Sequence, residues 1–278
     1  MAYWSWGNPQ STHVVMCVHG LTRQGRDFDV LAQALCARDP SLKVVCPDVV
    51  GRGHSDWLKD PLAYQVPTYA ADMLALLAQL NPTTLDWVGT SMGGLIGLVV
   101  CGQPGLPLPC PVRKLVLNDV GPTLAWPALQ RIGQYLGNTG QFASVQQAAD
   151  AMWAVSSSFG PHTSAQWLAL SQAMVKPMAD GSGRLTLHYD PAIAEVFKAM
   201  TPESAPQAEA VLWDLYDRIT AQTCLVRGAD SDLLSRETAL DMTQRGPRAQ
   251  LIEFEGVGHA PTFVPVYQSE AVVSFLLG

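Results

Sequence analysis

Apolar residues in this chain follow two patterns, and the switch between them divides the sequence. Short unbroken apolar runs recur at His13–His19, Lys43–Cys46, Leu85–Val88, Arg113–Leu117, Thr223–Val226 and Ala249–Phe254. Runs of that length without alternation predict strands buried on both faces, the habit of parallel sheets. Ala2–Trp6 reads as a shorter opening strand. Between the runs, apolar residues fall at helical spacing. Phe28, Leu31, Ala34 and Leu35 predict a helix over 27–37, and Thr68–Leu80 a second that Asn81-Pro82 stops. Leu95–Val100 suits a buried helix. Ser235–Thr243, with Ser235 as N-cap and Glu237 in the first turn, and Tyr267–Leu277 predict two more. Strand alternating with helix implies a parallel α/β sheet with right-handed crossovers.

From about Thr123 to Tyr216 the strands vanish. Helical patches at Trp126–Leu136, Val145–Ser156, Ser164–Met174 and Pro191–Ala199 are separated by Gly and Pro. A strand-free stretch of that length predicts a coherent helical insertion rather than a loop. Its Trp, Met and Phe residues mostly build its own core, and some of them are expected to line a pocket over the sheet's carboxyl edge. The expected division is therefore a core domain of residues 1–122 and 217–278 and a cap of residues 123–216.

Composition narrows the function. The 278 residues are 48% hydrophobic and 15% charged, with a formal net charge of -7 and no basic run, which argues against nucleic acid as a partner. The opening MAYWSWGNPQ lacks the charged and apolar regions of a secretory signal, and no apolar segment reaches membrane-spanning length. The six cysteines show no C-x-x-C pairing, and the six histidines no H-x-x-x-H spacing. Reduced thiols in a cytoplasmic protein without a metal site are the expectation. Nothing calls for a cofactor, and a homodimer stays open.

Chemistry enters at Gly89-Thr90-Ser91-Met92-Gly93, a G-x-S-x-G between a β-prone run and a helical one. A strand turning sharply into a helix forces the central residue into a strained conformation, and the flanking glycines relieve collisions. Ser91 Oγ would then stand exposed above the amino end of the following helix, where free N–H groups favour negative charge. Serine needs a base to take its proton, and that base needs an acid to fix its tautomer. His259, in a Gly-flanked loop after the last strand, is the expected base. Three aspartates compete for the acid. Asp232 and Asp230 both follow Thr223–Val226, and Asp119 follows Arg113–Leu117. Asp232 is preferred because Leu233-Leu234 can pin the chain directly after it, whereas Asp230 suits a local turn bond. The backbone N–H groups of Met92 and Leu21 are the expected oxyanion donors. The Gly-rich loop Asp48–Ser55 reads as a turn.

Taken together, His19-Gly20-Leu21, Asp48 through Gly53 to Ser55, Gly89–Gly94, Arg227-Gly228 to Asp232, and Gly258-His259 resemble the α/β-hydrolase fold superfamily over essentially the whole chain. The resemblance implies a mostly parallel eight-stranded sheet flanked by helices, with a helical cap between the sixth and seventh strands. It also supports Asp232, because relatives with a similar Arg-Gly-x-x-Ser-Asp-x-Leu stretch place the acid there. One departure is that many relatives carry the acid three residues after this glycine, where this chain has Ser231. The expected activity is hydrolysis of small carboxylic esters or lactones through an acyl-enzyme on Ser91. Carbon–carbon bond hydrolysis, thioester hydrolysis, cofactor-free perhydrolysis and acyl transfer use the same machinery. A non-turnover small-molecule receptor shares the fold.

Overall fold

Val14, Met16 and Val18 enter one hydrophobic core while Val15 and Cys17, between them, enter a second. That alternation is what a strand covered on both faces requires. The computed structural model describes the backbone of residues 1–278 and every side chain except that of Ser204. The strands are β1 (Tyr3–Gly7), β2 (His13–Val18), β3 (Lys43–Pro47), β4 (Thr84–Thr90), β5 (Val112–Asn118), β6 (Val175–Pro177), β7 (Leu185–Leu187), β8 (Gln222–Gly228) and β9 (Gln250–Phe254). The α-helices are α1 (Asp29–Arg38), α2 (Val66–Leu80), α3 (Met92–Gly102), α4 (Trp126–Tyr135), α5 (Val145–Ser156), α6 (Ser164–Gln172), α7 (Ala194–Lys198), α8 (Ala205–Asp217), α9 (Arg236–Gln244) and α10 (Val266–Leu277).

Seven strands form the main sheet in the order β1-β3-β2-β4-β5-β8-β9. Every neighbouring pair is parallel except the edge strand β1, which runs antiparallel to β3. Helices α2, α3, α8 and α9 contribute to the core on one face, and α1 and α10 to that on the other. Each fully buried Leu, Val or Met there contributes about 1.5–3 kcal/mol. Ser235 caps α9 through the Thr238 N–H at 3.0 Å, as its position in the sequence predicts.

Three expectations change. The sheet has seven strands rather than eight, because every β-prone run outside the insertion is already used. The insertion consequently leaves the sheet after its fifth strand in chain order, β5, and returns at its sixth, β8. Nor is the insertion purely helical. β6 and β7 pair as a small antiparallel hairpin, whose three-residue, half-buried strands are too short to show periodicity. Helix α8 was not among the expected patches, since most of its residues face solvent. Its last turn packs on the core, with Tyr216 Oη donating to the Met242 carbonyl at 2.5 Å, so the expected boundary at 216/217 falls inside this helix. Among the described residues, no helix is long and apolar enough to cross a membrane.

Candidate active site

The sheet order places the ends of β4, β5 and β8 side by side, and the site is built where they stop. β4 runs into Ser91, whose φ of 50° and ψ of -114° lie outside the comfortable regions for a side-chain-bearing residue, and α3 begins at Met92. Gly89 and Gly93 make this turn possible. A Cβ on Gly93 would collide with the Val18 carbonyl, and one on Gly89 with the Gly93 carbonyl. Trp87 Nε1 donates to that same Gly93 carbonyl at 3.1 Å, and the Ser91 N–H donates to the Asn118 carbonyl at 3.0 Å. The serine is thus held from both sides.

His259 Nε2 lies 3.0 Å from Ser91 Oγ, and its Nδ1 lies 2.7 Å from Asp119 Oδ2. The imidazole is mostly buried and the Asp119 carboxylate fully so. Asp119 accepts three hydrogen bonds. Gly228 N–H reaches Oδ1 at 2.8 Å, Ser231 Oγ donates to Oδ2 at 2.6 Å, and His259 Nδ1–H shares Oδ2. With Nδ1 protonated toward a carboxylate, Nε2 presents a lone pair to the serine hydroxyl, which is the tautomer a general base needs.

The aspartate in contact with His259 is therefore Asp119 and not the expected Asp232. Asp232 faces outward and forms a two-bond pair with Arg131 of α4, Nε to Oδ2 at 2.7 Å and Nη2 to Oδ1 at 3.0 Å. Asp230 is exposed, and its N–H, rather than its side chain, makes the turn contact, with the Val257 carbonyl at 2.9 Å. Leu233 and Leu234 are buried, as expected of anchors. They pin the loop with Ser231 inward, because the Leu233 and Leu234 N–H groups donate to Ser231 Oγ at 3.3 and 3.1 Å. Asp232, one residue on, must then point away. Asp119, the third candidate, is brought there by strand register: β4 and β5 pair with Thr90 opposite Asn118, so the residue after β5 adjoins the residue after β4.

Leu21 and Met92, the expected oxyanion donors, both line cavities that Ser91 also borders. Met92 opens α3, so its N–H has no partner within the helix. The Leu21 N–H belongs to the Gly20–Leu21 peptide, whose carbonyl accepts His19 Nδ1–H at 2.7 Å. Carbonyl and N–H point oppositely in a trans peptide, so His19 fixes the direction of the Leu21 N–H. His19 Nε2 accepts from Val49 N–H at 2.9 Å, which defines the neutral tautomer. Complete burial pushes its pKa down to about 3.

Arg52, read only as part of a turn, is fully buried under these donors. Its Nε donates to the Leu21 carbonyl and its Nη1 to the Val50 carbonyl, both at 2.7 Å, and its Nη2 meets Met92 Sδ at 3.3 Å. The guanidinium also lies 4.9 Å from the Tyr69 ring centre. Burial lowers its pKa without threatening its charge. The same loop is tied to the segment after β7, with Asp190 N–H on the Gly51 carbonyl at 2.7 Å and Gly53 N–H on that of His188 at 3.0 Å. Gly51, at φ 84°, permits this, since a Cβ would strike the Tyr64 ring. Ser91 and His259 open into a cavity of about 310 Å³ whose walls also include Arg131, Tyr135 and Met152, from the segment between β5 and β8.

Comparison with known proteins gives a consistent result. The family model described as "Alpha/beta hydrolase family" matches residues 15–274. The chain is 48% identical over 279 residues to a 3-hydroxybutyrate-oligomer hydrolase of Cupriavidus necator, covering 100% of this chain and 93% of that one. Among solved structures, an alpha/beta hydrolase from Novosphingobium aromaticivorans matches with a TM-score of 0.84 and 34% identity, covering 99% of this chain and 93% of the other. A Rickettsia typhi protein matches with a TM-score of 0.86 and 27% identity, covering 99% and 90%.

Proposed function

The chain belongs to the α/β hydrolase family, and on that premise we propose that it is a serine hydrolase cleaving short oligoesters of 3-hydroxy acids. The observation that carries the chemistry is the unbroken hydrogen-bonded line from Ser91 through His259 to Asp119, with spacings of 3.0 and 2.7 Å. Ser91 Oγ attacks the ester carbonyl while His259 Nε2 takes its proton. The Asp119 carboxylate stabilises the resulting imidazolium, and the N–H groups of Leu21 and Met92 receive the oxyanion. His259 then passes the proton to the departing alkoxide as its C–O bond breaks. Water, activated by the same histidine, resolves the acyl-enzyme to a free acid and restores Ser91.

The substrate class rests on the relative that is 48% identical along this whole chain and whose name states hydrolysis of 3-hydroxybutyrate oligomers. A cytoplasmic location belongs to the same proposal, supported by six free thiols. The test is release of 3-hydroxybutyrate from its linear dimer and trimer by wild type and Ser91→Ala. Release by wild type with loss of several powers of ten in the variant is expected. Hydrolysis of simple aryl esters without any release from the oligomers would refute the substrate class. A Ser91→Ala protein with a tenth of wild-type turnover would refute the chemistry.

A further inference from the structure

Ser91 stands at the junction of two cavities, not at the end of one. The first, about 310 Å³, sets His259, Arg23, Arg131 and Tyr135 among apolar side chains such as Met152 and Phe159, and so is mixed in character. The second, about 320 Å³, has no His259 among its walls and is lined chiefly by apolar side chains, including Met92, Leu95, Val120, Leu129, Val196 and Phe197. Leu21, Ser91 and Ile132 border both. A bound ester must therefore place one half in each lobe, and the proton path decides which.

The departing alkoxide takes its proton from His259 Nε2, so its oxygen has to lie within hydrogen-bond reach of that nitrogen. The alcohol half therefore belongs to the lobe that holds His259. The acyl half stays bonded to Ser91 Oγ and extends into the other lobe. Polarity then assigns chemistry to each side. The acyl lobe removes hydrocarbon from water. The alcohol lobe presents guanidinium groups, and a planar guanidinium matches a carboxylate with paired hydrogen bonds. Arg23 is held by Asp27 in a pair only 13% and 20% exposed, whereas the Arg131–Asp232 pair is 37% and 47% exposed. An exposed pair is worth at most about 1 kcal/mol, so Arg131 can turn to another carboxylate at small cost.

Resting on the ester-hydrolase reading above, we propose that the leaving group is a hydroxy acid whose free carboxylate is met by Arg131, and that the acyl chain lies in the apolar lobe. On an oligomer this fixes direction: the unit carrying the terminal carboxylate is released as the alcohol, and the rest of the chain forms the acyl-enzyme. Bonds balance as in a simple ester, with one C–O bond broken and one formed in each half-reaction and water consumed once.

Two comparisons test it. The first uses the butyryl ester of 3-hydroxybutyrate with its carboxylate free or methylated. Wild type should favour the free acid by about tenfold or more in kcat/KM, the scale of one charge-assisted bond pair. Arg131→Gln should bring that ratio below about threefold, and Asp232→Asn should raise it. A wild-type ratio at or below one, or a ratio untouched by Arg131→Gln, overturns the carboxylate assignment. The second compares methyl octanoate with octyl acetate in Val196→Trp, or in Leu129→Phe should the first fold poorly. Filling the acyl lobe should lower turnover of the long acyl ester at least tenfold more than that of the long alcohol ester. The reverse preference overturns the division. Absence of all ester turnover in wild type would instead overturn the hydrolase reading on which both comparisons stand.

Discussion

Replacing Asp119 with asparagine should cost about four powers of ten in kcat, and the hydrogen bonds explain why the amide cannot adapt. The two carboxylate oxygens accept from Gly228 N–H, Ser231 Oγ and His259 Nδ1. An asparagine must put its oxygen at the Oδ1 position, because its NH₂ there would face the fixed Gly228 N–H and leave a buried bond unmade at about 1–3 kcal/mol. The NH₂ then occupies the Oδ2 position. Ser231 Oγ already accepts from the Leu233 and Leu234 N–H groups and has no lone pair left for that NH₂, and His259 Nδ1 can accept only by giving up its proton. The imidazole moves to the Nε2–H tautomer, which points a proton at Ser91 Oγ instead of a lone pair. A wrong tautomer in a serine triad costs about 10⁴ in kcat, equivalent to about 5 kcal/mol of barrier. The shape is conserved, so the loss of stability should stay within about 1–3 kcal/mol, the cost of the one buried Ser231 bond given up. The assay is steady-state hydrolysis of an aryl ester by Asp119→Asn and Asp232→Asn in parallel, with thermal melts to confirm folding. Asp232→Asn should lose less than about tenfold. An active Asp119→Asn beside a dead Asp232→Asn would refute the reasoning.

Ser231→Ala should lower kcat by about three- to tenfold with KM little changed, and Ser231→Thr should recover most of it, since the hydroxyl steadies Asp119 and the Leu233–Leu234 turn without reaching the reacting atoms; an alanine variant with wild-type kcat contradicts that role. Arg52→Met should lower kcat about 10–100-fold, less than outright loss of an oxyanion donor, because it loosens the Leu21 and Met92 segments without deleting an N–H; steady-state kinetics that show only a KM effect would dismiss it. His19 supplies a stability prediction with a definite sign. Its folded pKa, about 3, lies below the unfolded value of 6.5, so the unfolded chain binds the extra proton. His19 therefore has no effect on stability above pH 6.5 and weakens the fold as pH falls toward 3, by up to about 1.4 kcal/mol per pH unit. Urea unfolding at several pH values should show a shallower acid loss in His19→Asn than in wild type, and equal slopes would contradict the buried neutral imidazole.

Much of the fold was legible because β2, β4, β5 and β8 are buried on both faces, and that leaves an unmistakable apolar run. The elbow was legible for a related reason. Gly89 and Gly93 are required by backbone collisions, and such requirements appear as residue identity. What escaped was whatever depends on direction rather than composition. Ser231 and Asp232 are adjacent, and which of them faces His259 is decided by two N–H groups on Ser231 Oγ. Asp119 stands among the three candidates in sequence, and only the register of β4 against β5 singles it out. Arg52 reads in sequence only as part of a Gly-rich turn, and it is covered by a segment, His188–Asp190, more than a hundred residues away. The hairpin β6–β7 is short enough that pairing, not propensity, makes it a strand.

The central claim is that Ser91 becomes covalently acylated, and mass spectrometry of the intact protein after reaction with a fluorophosphonate tests it most directly. The account predicts one adduct per chain, mapping to the peptide that contains Ser91, with loss of ester turnover in step with labelling and no adduct in Ser91→Ala. An adduct mapping to another residue, or undiminished turnover in fully labelled protein, would contradict it.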